Sequence, residues 1–368
     1  MDLHYADWVS DRMKKVYIMS AKYAPGHFSH MLAYYELFRE IDCVPVLYLD
    51  KQYDSFVKEY PQYEFQYISG ESEAPDILFI YNLSPDDTSI TKRFQKINPA
   101  MKVYFVYHEP WYGFREWFRN FRTGTESARE TVKAVGRYFF VKRLVKRCTK
   151  VILPSNAALY NYEKYCRFKN VDYDVFPLIF TDECGESLTV NDKQYFSFIA
   201  TASKSRNFRL FIEYLKYKAK TDKTAKFQIA TRTDVSEYLD DELQELIDQR
   251  RLIVNHGHSL TNQEINLAYS ISNCTWMLYN RSTQSGVICK SFMFGAPVIA
   301  SEIGSFKEIV TPENGVILYG SYSLDDIDNA YESIRNNLCA LSDGARNAFM
   351  SNFYFSNHVD RFKEIING

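Results

Sequence analysis

The chain has 368 residues, of which 46% are hydrophobic and 24% are charged, a composition that is globular and excludes an intrinsically disordered protein. The 44 basic and 46 acidic residues give a net charge of −2, so the overall charge does not favour a nucleic-acid partner. The seven cysteines form no C-x-x-C pair, which favours a reducing compartment and argues against a zinc site.

The amino-terminal residues 1–7 have neither the positive charge nor the apolar core of a signal peptide. No apolar run approaches the roughly 18 residues that a membrane-spanning helix needs. The sequence therefore predicts a cytoplasmic protein, with at most a peripheral contact with the inner face of the membrane. Its length suits two domains, each able to bury its own core.

The first half of the chain alternates short β-rich runs with helical segments. The runs are apolar throughout, which is typical of a parallel sheet covered on both faces. We therefore predict a Rossmann-like domain over residues 1–180. Its predicted strands cover residues 16–20, 44–48, 76–81, 103–107, 151–155 and 174–179.

Two polar turns directly follow strands of this domain. Gly26 and His27 come after the first strand, and His108 and Glu109 come after the run 103–107. Ligands of parallel sheets bind beyond the carboxyl ends of the strands, so both turns are predicted to face a cleft. His108 can carry a proton near neutral pH, and Glu109 can hold a sugar hydroxyl or orient the histidine. Ordinary structural turns remain the alternative for both pairs.

Residues 113–150 differ from the rest of the chain in charge. They contain eleven basic and three acidic residues, a net charge of +8 (eleven minus three), with aromatic residues between them. Cationic and aromatic side chains together are typical of a surface that binds an anionic membrane. The alternative is a solvated helical face whose aromatic side packs on the core. RNA binding is less well supported, because no recognition motif accompanies the charge.

A polar stretch over residues 181–193 is the predicted linker to a second Rossmann-like domain over residues 194–353. Its predicted strands cover residues 195–200, 227–230, 252–254, 276–279, 298–300 and 316–319. His256 ends one of these strands, and we predict that it contacts a nucleotide in the cleft. A metal site with His258 is the alternative, but no third ligand is recognisable nearby.

The stretch 282–301 has the features of an anion-binding helix start. A polar turn from Thr283 to Gly286 opens an apolar segment, Ser285 can cap the helix, and Gly286 lets a ligand approach the backbone. Unpaired N–H groups and the positive end of the helix dipole attract phosphate. We therefore predict that Thr283, Gln284, Ser285 and Gly286 bind an anionic ligand. An ordinary capped helix is the alternative.

The order of residues in this region resembles the donor site of GT-B glycosyltransferases. More narrowly, it resembles the retaining group related to glycogen synthase and the bacterial lipopolysaccharide and capsule glycosyltransferases (group 1 type). The match covers residues 285–288, 292–301 and 304–310, followed by Asn314 and Gly315. Members of that group carry two glutamates eight positions apart, which hold hydroxyls of the donor sugar and ribose. The matching positions here are Ser282 and Lys290, so the double-glutamate motif is degenerate.

The resemblance implies an α/β protein of the GT-B fold, with two Rossmann-like domains whose parallel sheets face a central cleft. It also implies that the terminal helix within 354–368 returns to the first domain. Lys204 and Arg206 are implied to lie against the donor diphosphate, and His108 near the reacting sugar. The resemblance further implies retention and metal-independent catalysis, because basic groups and helix N–H groups stabilise the leaving diphosphate. We predict that the ammonium of Lys290 also meets the diphosphate.

The sequence thus predicts transfer of a sugar from a nucleotide-sugar to a hydroxyl acceptor. The predicted acceptor is a glycan or a lipid-linked glycan of surface polysaccharide synthesis. No cofactor and no metal are expected. A catalytically inactive binding subunit of the same fold is one alternative, because it would explain Ser282 and Lys290. A nucleotide-sugar epimerase is another, but it would need catalytic carboxylates in the cleft.

Overall fold

The computed structural model of the protein describes residues 13–70, 72–122, 128–185, 189–282 and 284–368, without the side chains of residues 128–131. Within these residues, two parallel β-sheets are each flanked by α-helices, one sheet in each half of the chain. The α/β fold class predicted from the sequence is confirmed.

The first sheet is built from the amino-terminal half of the chain. Its strands are β1 (Lys14–Ser20), β2 (Cys43–Leu49), β3 (Phe65–Tyr67), β4 (Ile77–Ile80), β5 (Lys102–Val106), β6 (Lys150–Leu153) and β7 (Asp172–Val175). Their order is β3-β2-β1-β4-β5-β6-β7, and all neighbours are parallel. The winding reverses between β1 and β4, which leaves a crevice at the carboxyl ends of these strands.

The second sheet repeats this plan. Its strands are β8 (Tyr195–Ile199), β9 (Lys226–Ala230), β10 (Leu252–Asn255), β11 (Ser272–Met277), β12 (Val298–Ser301) and β13 (Gly315–Leu318). Their order is β10-β9-β8-β11-β12-β13, again with parallel neighbours. The reversal between β8 and β11 places a second crevice at the carboxyl end of this sheet.

Helices occupy both faces of the two sheets. Those of the first half are α1 (Phe28–Glu40), α2 (Asp54–Glu59), α3 (Asp87–Ile97), α4 (Phe114–Arg122), α5 (Ala128–Val145) and α6 (Asn156–Asn161). Those that follow are α7 (Phe208–Thr221), α8 (Asp241–Asp248), α9 (Asn262–Ser270), α10 (Gly286–Met293), α11 (Phe306–Ile309), α12 (Leu324–Asn336), α13 (Leu338–Asn352) and α14 (Val359–Asn367).

Strand β1 shows why the apolar runs are continuous. Its residues 16–19 are fully buried, and successive side chains enter two different cores. Val16 and Ile18 pack into the core that contains Phe38, whereas Tyr17 and Met19 pack into the core on the other face. Because strand side chains alternate between faces, a strand covered on both sides needs apolar residues at every position.

The carboxyl-terminal helix packs on the first sheet rather than on the second. Phe362, Ile365 and Ile366 of α14 belong to the core that contains Phe38, and the rings of Phe38 and Phe362 lie 4.9 Å apart. The phenol of Tyr104 also donates a hydrogen bond to the carbonyl of Ile366 at 2.8 Å.

The predicted domain boundaries remain a proposal. They assign residues 1–180 and 354–368 to the first domain, 181–193 to the linker and 194–353 to the second domain.

Two predicted strands differ from the structure, and a third strand was not predicted. The run 174–179 was predicted as a strand, but β7 ends at Val175, since Pro177 has no N–H group for a ladder. Strand β11 begins at Ser272, earlier than predicted, because its buried polar residues hide it from an apolar pattern. Strand β3 has only three residues and was not predicted.

Candidate functional site

A cleft of about 600 Å³ lies at the carboxyl ends of both sheets and is lined by residues from both halves of the chain. Nine of the residues predicted from the sequence line it: Gly26, His27, His108, Glu109, Arg206, Gln284, Ser285, Gly286 and Lys290. They come from loops that follow β1, β5, β8 and β11, or from α10. A cleft of this size accommodates a small-molecule ligand.

The start of α10 presents backbone N–H groups to this cleft. Ser285 is the N-cap residue, and its hydroxyl accepts a hydrogen bond from the N–H of Val287 at 3.3 Å. Glycine fits closely at 286, because a Cβ atom there would lie 3.0 Å from Nε2 of His30, a tight contact. The N-terminus of an eight-residue helix with a bare glycine is a suitable site for an anion.

Arg206 supplies a cation on the same side of the cleft. It ends a 3-10 turn after β8, and its guanidinium carbon lies 4.5 Å from the ring centre of Tyr279. Its Nη1 atom is buried and has no hydrogen-bond acceptor among the described residues. A buried donor on a charged group is costly to leave unpaired, so this geometry favours an anionic ligand.

His108 lies between the two halves of the protein. Its Nε2 atom is 2.9 Å from the carbonyl of Tyr81, and its Nδ1 atom is 2.8 Å from the amide nitrogen of Gln284. These partners assign a neutral ring, protonated on Nε2, that accepts a hydrogen bond from Gln284. Burial and the neighbouring His27 and His30 hold the pKa of His108 well below its usual range. The ring therefore acts as an acceptor at neutral pH, not as a proton donor.

Two further histidines surround this ring. The ring centres of His27 and His108 are 4.9 Å apart, and Nδ1 of His27 pairs with Oδ1 of Asn82. Nδ1 of His30 lies 3.0 Å from the carbonyl of Ile179. Burial, with a smaller effect of His27, lowers the pKa of His30 to about 3. Neutral imidazoles bring no net charge into the cleft, so its positive charge comes from other side chains, among them Arg206.

Polar acceptors complete the site. The side-chain oxygen of Gln284 is buried and has no hydrogen-bond donor among the described residues. Glu109 is half exposed and forms an ion pair with Arg137 at 3.3 Å. The amide oxygen of Gln284 and the carboxylate of Glu109 are suited to accept hydrogen bonds from sugar hydroxyls.

Lys290 does not have the environment predicted for it. Its ammonium group is 3.0 Å from Oε2 of Glu183 and 2.8 Å from the side-chain oxygens of both Asn262 and Asn266. The three donors of the ammonium are thus used within the protein, although the residue lines the cleft. Despite the opposing effect of burial, Lys290 and the two amides lower the pKa of Glu183 to about 2. We predicted that this lysine meets a diphosphate, whereas in the structure it forms a buried ion pair with Glu183.

Two other predicted residues lie elsewhere, and a third is not described. Lys204 is exposed and does not line the cleft. His256 is also absent from the lining, and its Nδ1 atom accepts a hydrogen bond from the N–H of Val235 at 3.3 Å. Thr283 lies outside the described residues.

Sequence reasoning also missed residues that line the cleft. Lys22, His30, Arg137 and Arg232 belong to this group. Lys22 and Arg232 follow β1 and β9, and their positions after apolar runs would have identified them. His30 and Arg137 lie within helices, and nothing in the sequence pattern around them indicates that they line a cleft.

The chain matches no protein-family model and no curated protein sequence. Solved structures do match it over nearly its whole length. The crystal structure of HepE from Anabaena with UDP and glucose has a TM-score of 0.68 at 11% identity, covering 96% of this chain and 99% of HepE.

Two further solved structures also match the chain over nearly its whole length. A mutant of TarM from S. aureus, crystallised with fondaparinux, α-GlcNAc-glycerol and UDP, has a TM-score of 0.69 at 11% identity, covering 97% of this chain and 100% of TarM. A glycosyltransferase from Rickettsia africae has a TM-score of 0.64 at 11% identity, with 96% and 98% covered. This protein has the GT-B glycosyltransferase fold.

The GT-B fold explains why the candidate site lies between two sheets. Each sheet carries its crevice at the carboxyl ends of its strands, and the two crevices face each other across one cleft. Among the described residues, no three His, Cys, Asp or Glu side chains are arranged to hold a metal ion. Metal-independent catalysis itself stays a prediction.

Proposed function

We propose that this protein transfers a sugar from a nucleotide-sugar to a hydroxyl acceptor. The observation that carries the proposal is the unpaired, buried Nη1 of Arg206, which lines the same GT-B cleft as the N-terminus of α10. Both groups suit the diphosphate of a nucleotide-sugar. The complexes of HepE and TarM with UDP support the same ligand class.

In this reaction, the bond between the anomeric carbon and the diphosphate oxygen breaks, and a bond to the acceptor oxygen forms. Arg206 and the first N–H groups of α10 stabilise the charge that develops on the diphosphate. Glu109 takes the proton of the acceptor hydroxyl. His108 accepts a hydrogen bond from a donor hydroxyl through Nδ1 once Gln284 turns away. Retention of configuration and metal independence are part of the proposal and rest on the family resemblance.

An inactive binding subunit is the second candidate, and the replacement of both family glutamates by Ser282 and Lys290 favours it. The epimerase alternative has less support. Glu109 is the one carboxylate among the described residues that line the cleft, whereas an epimerase would need more.

A panel of nucleotide-sugars separates these functions. We expect the protein to release a nucleoside diphosphate from one member of the panel, and to do so faster when a glycan or lipid-linked acceptor is added. An epimerase would convert the sugar without an acceptor and without release of nucleotide. Nucleotide binding without either reaction would identify a binding subunit and contradict the proposed transfer.

We also propose that the protein works on a lipid-linked glycan of surface polysaccharide synthesis, at the cytoplasmic face of an anionic membrane. No helix within the described residues combines the length and the hydrophobicity needed to cross a bilayer. We assign the membrane contact to α4, because Phe114, Phe118 and Phe121 expose 61%, 58% and 49% of their surface.

The sequence of α4 matches this role. Its three phenylalanines are spaced four and three residues apart and share one face of the helix. Arg115, Arg119 and Arg122 repeat this spacing one residue later, which places a cationic stripe beside the aromatic one. No residue of α4 is fully buried, and although Trp117 packs against the core, the three phenylalanines remain exposed. Such a helix lies in the interface of an anionic membrane.

Replacement of Phe118 and Phe121 with serine is expected to abolish co-sedimentation with vesicles of phosphatidylcholine and phosphatidylglycerol. The control is Leu267→Ser on α9, because this apolar side chain is at least as exposed, at 61%, but lies outside α4. Salt should weaken binding of the parent protein, since charges are screened beyond about 8 Å at physiological ionic strength. Equal sedimentation of all three proteins would contradict the membrane contact.

A further inference from the structure

The 3-10 turn Lys204–Arg206, which brings Arg206 to the cleft, is held by a segment far away in the sequence. Asn280 bonds to two of its carbonyls. The side-chain amide of Asn280 donates to the carbonyl of the first turn residue at 2.8 Å, and its backbone N–H donates to that of the second at 2.9 Å. The indole N–H of Trp276 donates to the third carbonyl, that of Arg206, at 3.3 Å. The backbone of the turn is therefore fixed by β11 and the residues that follow it.

The residue that ends this turn has an unfavourable backbone conformation. Asn207 has a φ of +56°, in the left-handed region that residues other than glycine seldom adopt. Asparagine enters this region more readily than most residues, but the conformation still needs support from the surrounding chain. The hydrogen bonds from Asn280 and Trp276 to the adjoining turn supply that support.

The side chain of Arg206 is held by an aromatic ring and not by a counterion. Its guanidinium carbon lies 4.5 Å from the ring centre of Tyr279. No carboxylate among the described residues lies within 4 Å of its nitrogens. A carboxylate would neutralise the charge and occupy the N–H groups, whereas an aromatic face stabilises the cation and leaves the N–H groups at its edge available. The unpaired Nη1 atom agrees with this arrangement.

We propose that Asn280 and Tyr279 are positioning residues for Arg206. Asn280 fixes the turn, and the ring of Tyr279 orients the guanidinium toward the diphosphate without neutralising it. The inference rests on the proposed function and adds two residues to its donor site. Neither of them lines the cleft, so both act on the nucleotide-sugar through Arg206 and not by direct contact.

Asn280→Ala is the main test, because Asn280 is exposed and its loss should leave the melting temperature unchanged. We expect calorimetry to show that the affinity for the nucleoside diphosphate falls roughly 2- to 10-fold, the range for one hydrogen bond. In an Arg206→Gln background the same substitution should weaken binding by less than about twofold more, because a positioning residue needs Arg206 to act. The control Asn357→Ala removes an exposed side-chain bond to the carbonyl of Met350, outside the cleft, and should bind like the parent protein.

The buried ring of Tyr279 is tested by two substitutions. Tyr279→Phe keeps the aromatic face and should retain the affinity, whereas Tyr279→Leu removes it and should weaken binding roughly 2- to 30-fold. The NMR signal of the Arg206 Nε–H group, identified by its absence in Arg206→Gln, gives a readout without nucleotide. The ring current should displace this signal in the parent protein and in Tyr279→Phe but not in Tyr279→Leu, and Asn280→Ala should shift it.

Parent-like affinity in Asn280→Ala, or the same weakening with and without Arg206, would overturn the role of Asn280. An Arg206 signal at the same position in Tyr279→Leu and in the parent protein would overturn the role of Tyr279. If Tyr279→Leu does not fold, a loss of affinity in Tyr279→Phe as large as in Arg206→Gln would also overturn it. Absence of nucleotide binding by the parent protein would count against the proposed function instead, and the Arg206 signal would still decide whether these two residues hold its side chain.

Discussion

Replacement of Arg206 with glutamine is expected to weaken binding of the nucleoside diphosphate by about 1.5–3 kcal/mol, or roughly 10- to 150-fold in Kd. The buried guanidinium has one nitrogen without an acceptor in the described protein, so the diphosphate gains a charge-assisted hydrogen bond there. Glutamine keeps part of the stacking on Tyr279 but has neither the charge nor the length to reach the ligand. Calorimetry measures the change in affinity directly.

Arg209→Gln is the matched control for this variant. Arg209 lies three residues further on, is highly exposed and pairs with Glu213 on its own helix. Its removal should leave nucleotide affinity and melting temperature unchanged. Parent-like affinity in a correctly folded Arg206→Gln variant would remove Arg206 from the donor site.

Replacement of Lys290 with glutamate is expected to lower the free energy of unfolding by about 3–5 kcal/mol, the usual cost of breaking a buried ion pair. The new carboxylate would face Glu183 in a site where both side chains are about 10% exposed, and it would disrupt Asn262 and Asn266 as well. The substitution recreates the residue of the resembling family, yet we expect it to impair activity. Chemical denaturation measures the loss of stability, and nucleotide release measures the loss of activity.

Lys307→Glu is the control, because Lys307 and Glu302 are also 3.0 Å apart but half exposed. An exposed pair contributes about 0–1 kcal/mol, so this variant should remain close to the parent protein. The exchange Glu183→Lys/Lys290→Glu restores opposite charges and should recover part of the lost stability. Higher activity in Lys290→Glu than in the parent protein would contradict the proposed role of the buried pair and indicate a decayed transferase.

Much of the fold could be predicted because its physical causes are local. Continuous apolar runs such as residues 16–19 are required wherever a strand is covered on both faces. The prediction failed where the cause was not local. Ser272 begins β11 although it is polar, because its hydroxyl bonds to Ser197, 75 residues away, at 2.7 Å.

The site was predictable to the extent that its residues directly follow strands. Gly26, His108 and Arg206 reach the cleft for this topological reason. The partner of Lys290 was not predictable, because Glu183 lies 107 residues earlier, in the predicted linker.

The central claim is that the cleft binds the diphosphate of a nucleotide-sugar between Arg206 and the start of α10. The most direct measurement is a crystal structure with the nucleoside diphosphate that binds best. We predict diphosphate oxygens within about 2.7–3.2 Å of the Arg206 guanidinium and of backbone N–H groups at Gly286 and Val287. A diphosphate bound away from both groups, or a cleft that stays empty at saturating nucleotide, would contradict this claim.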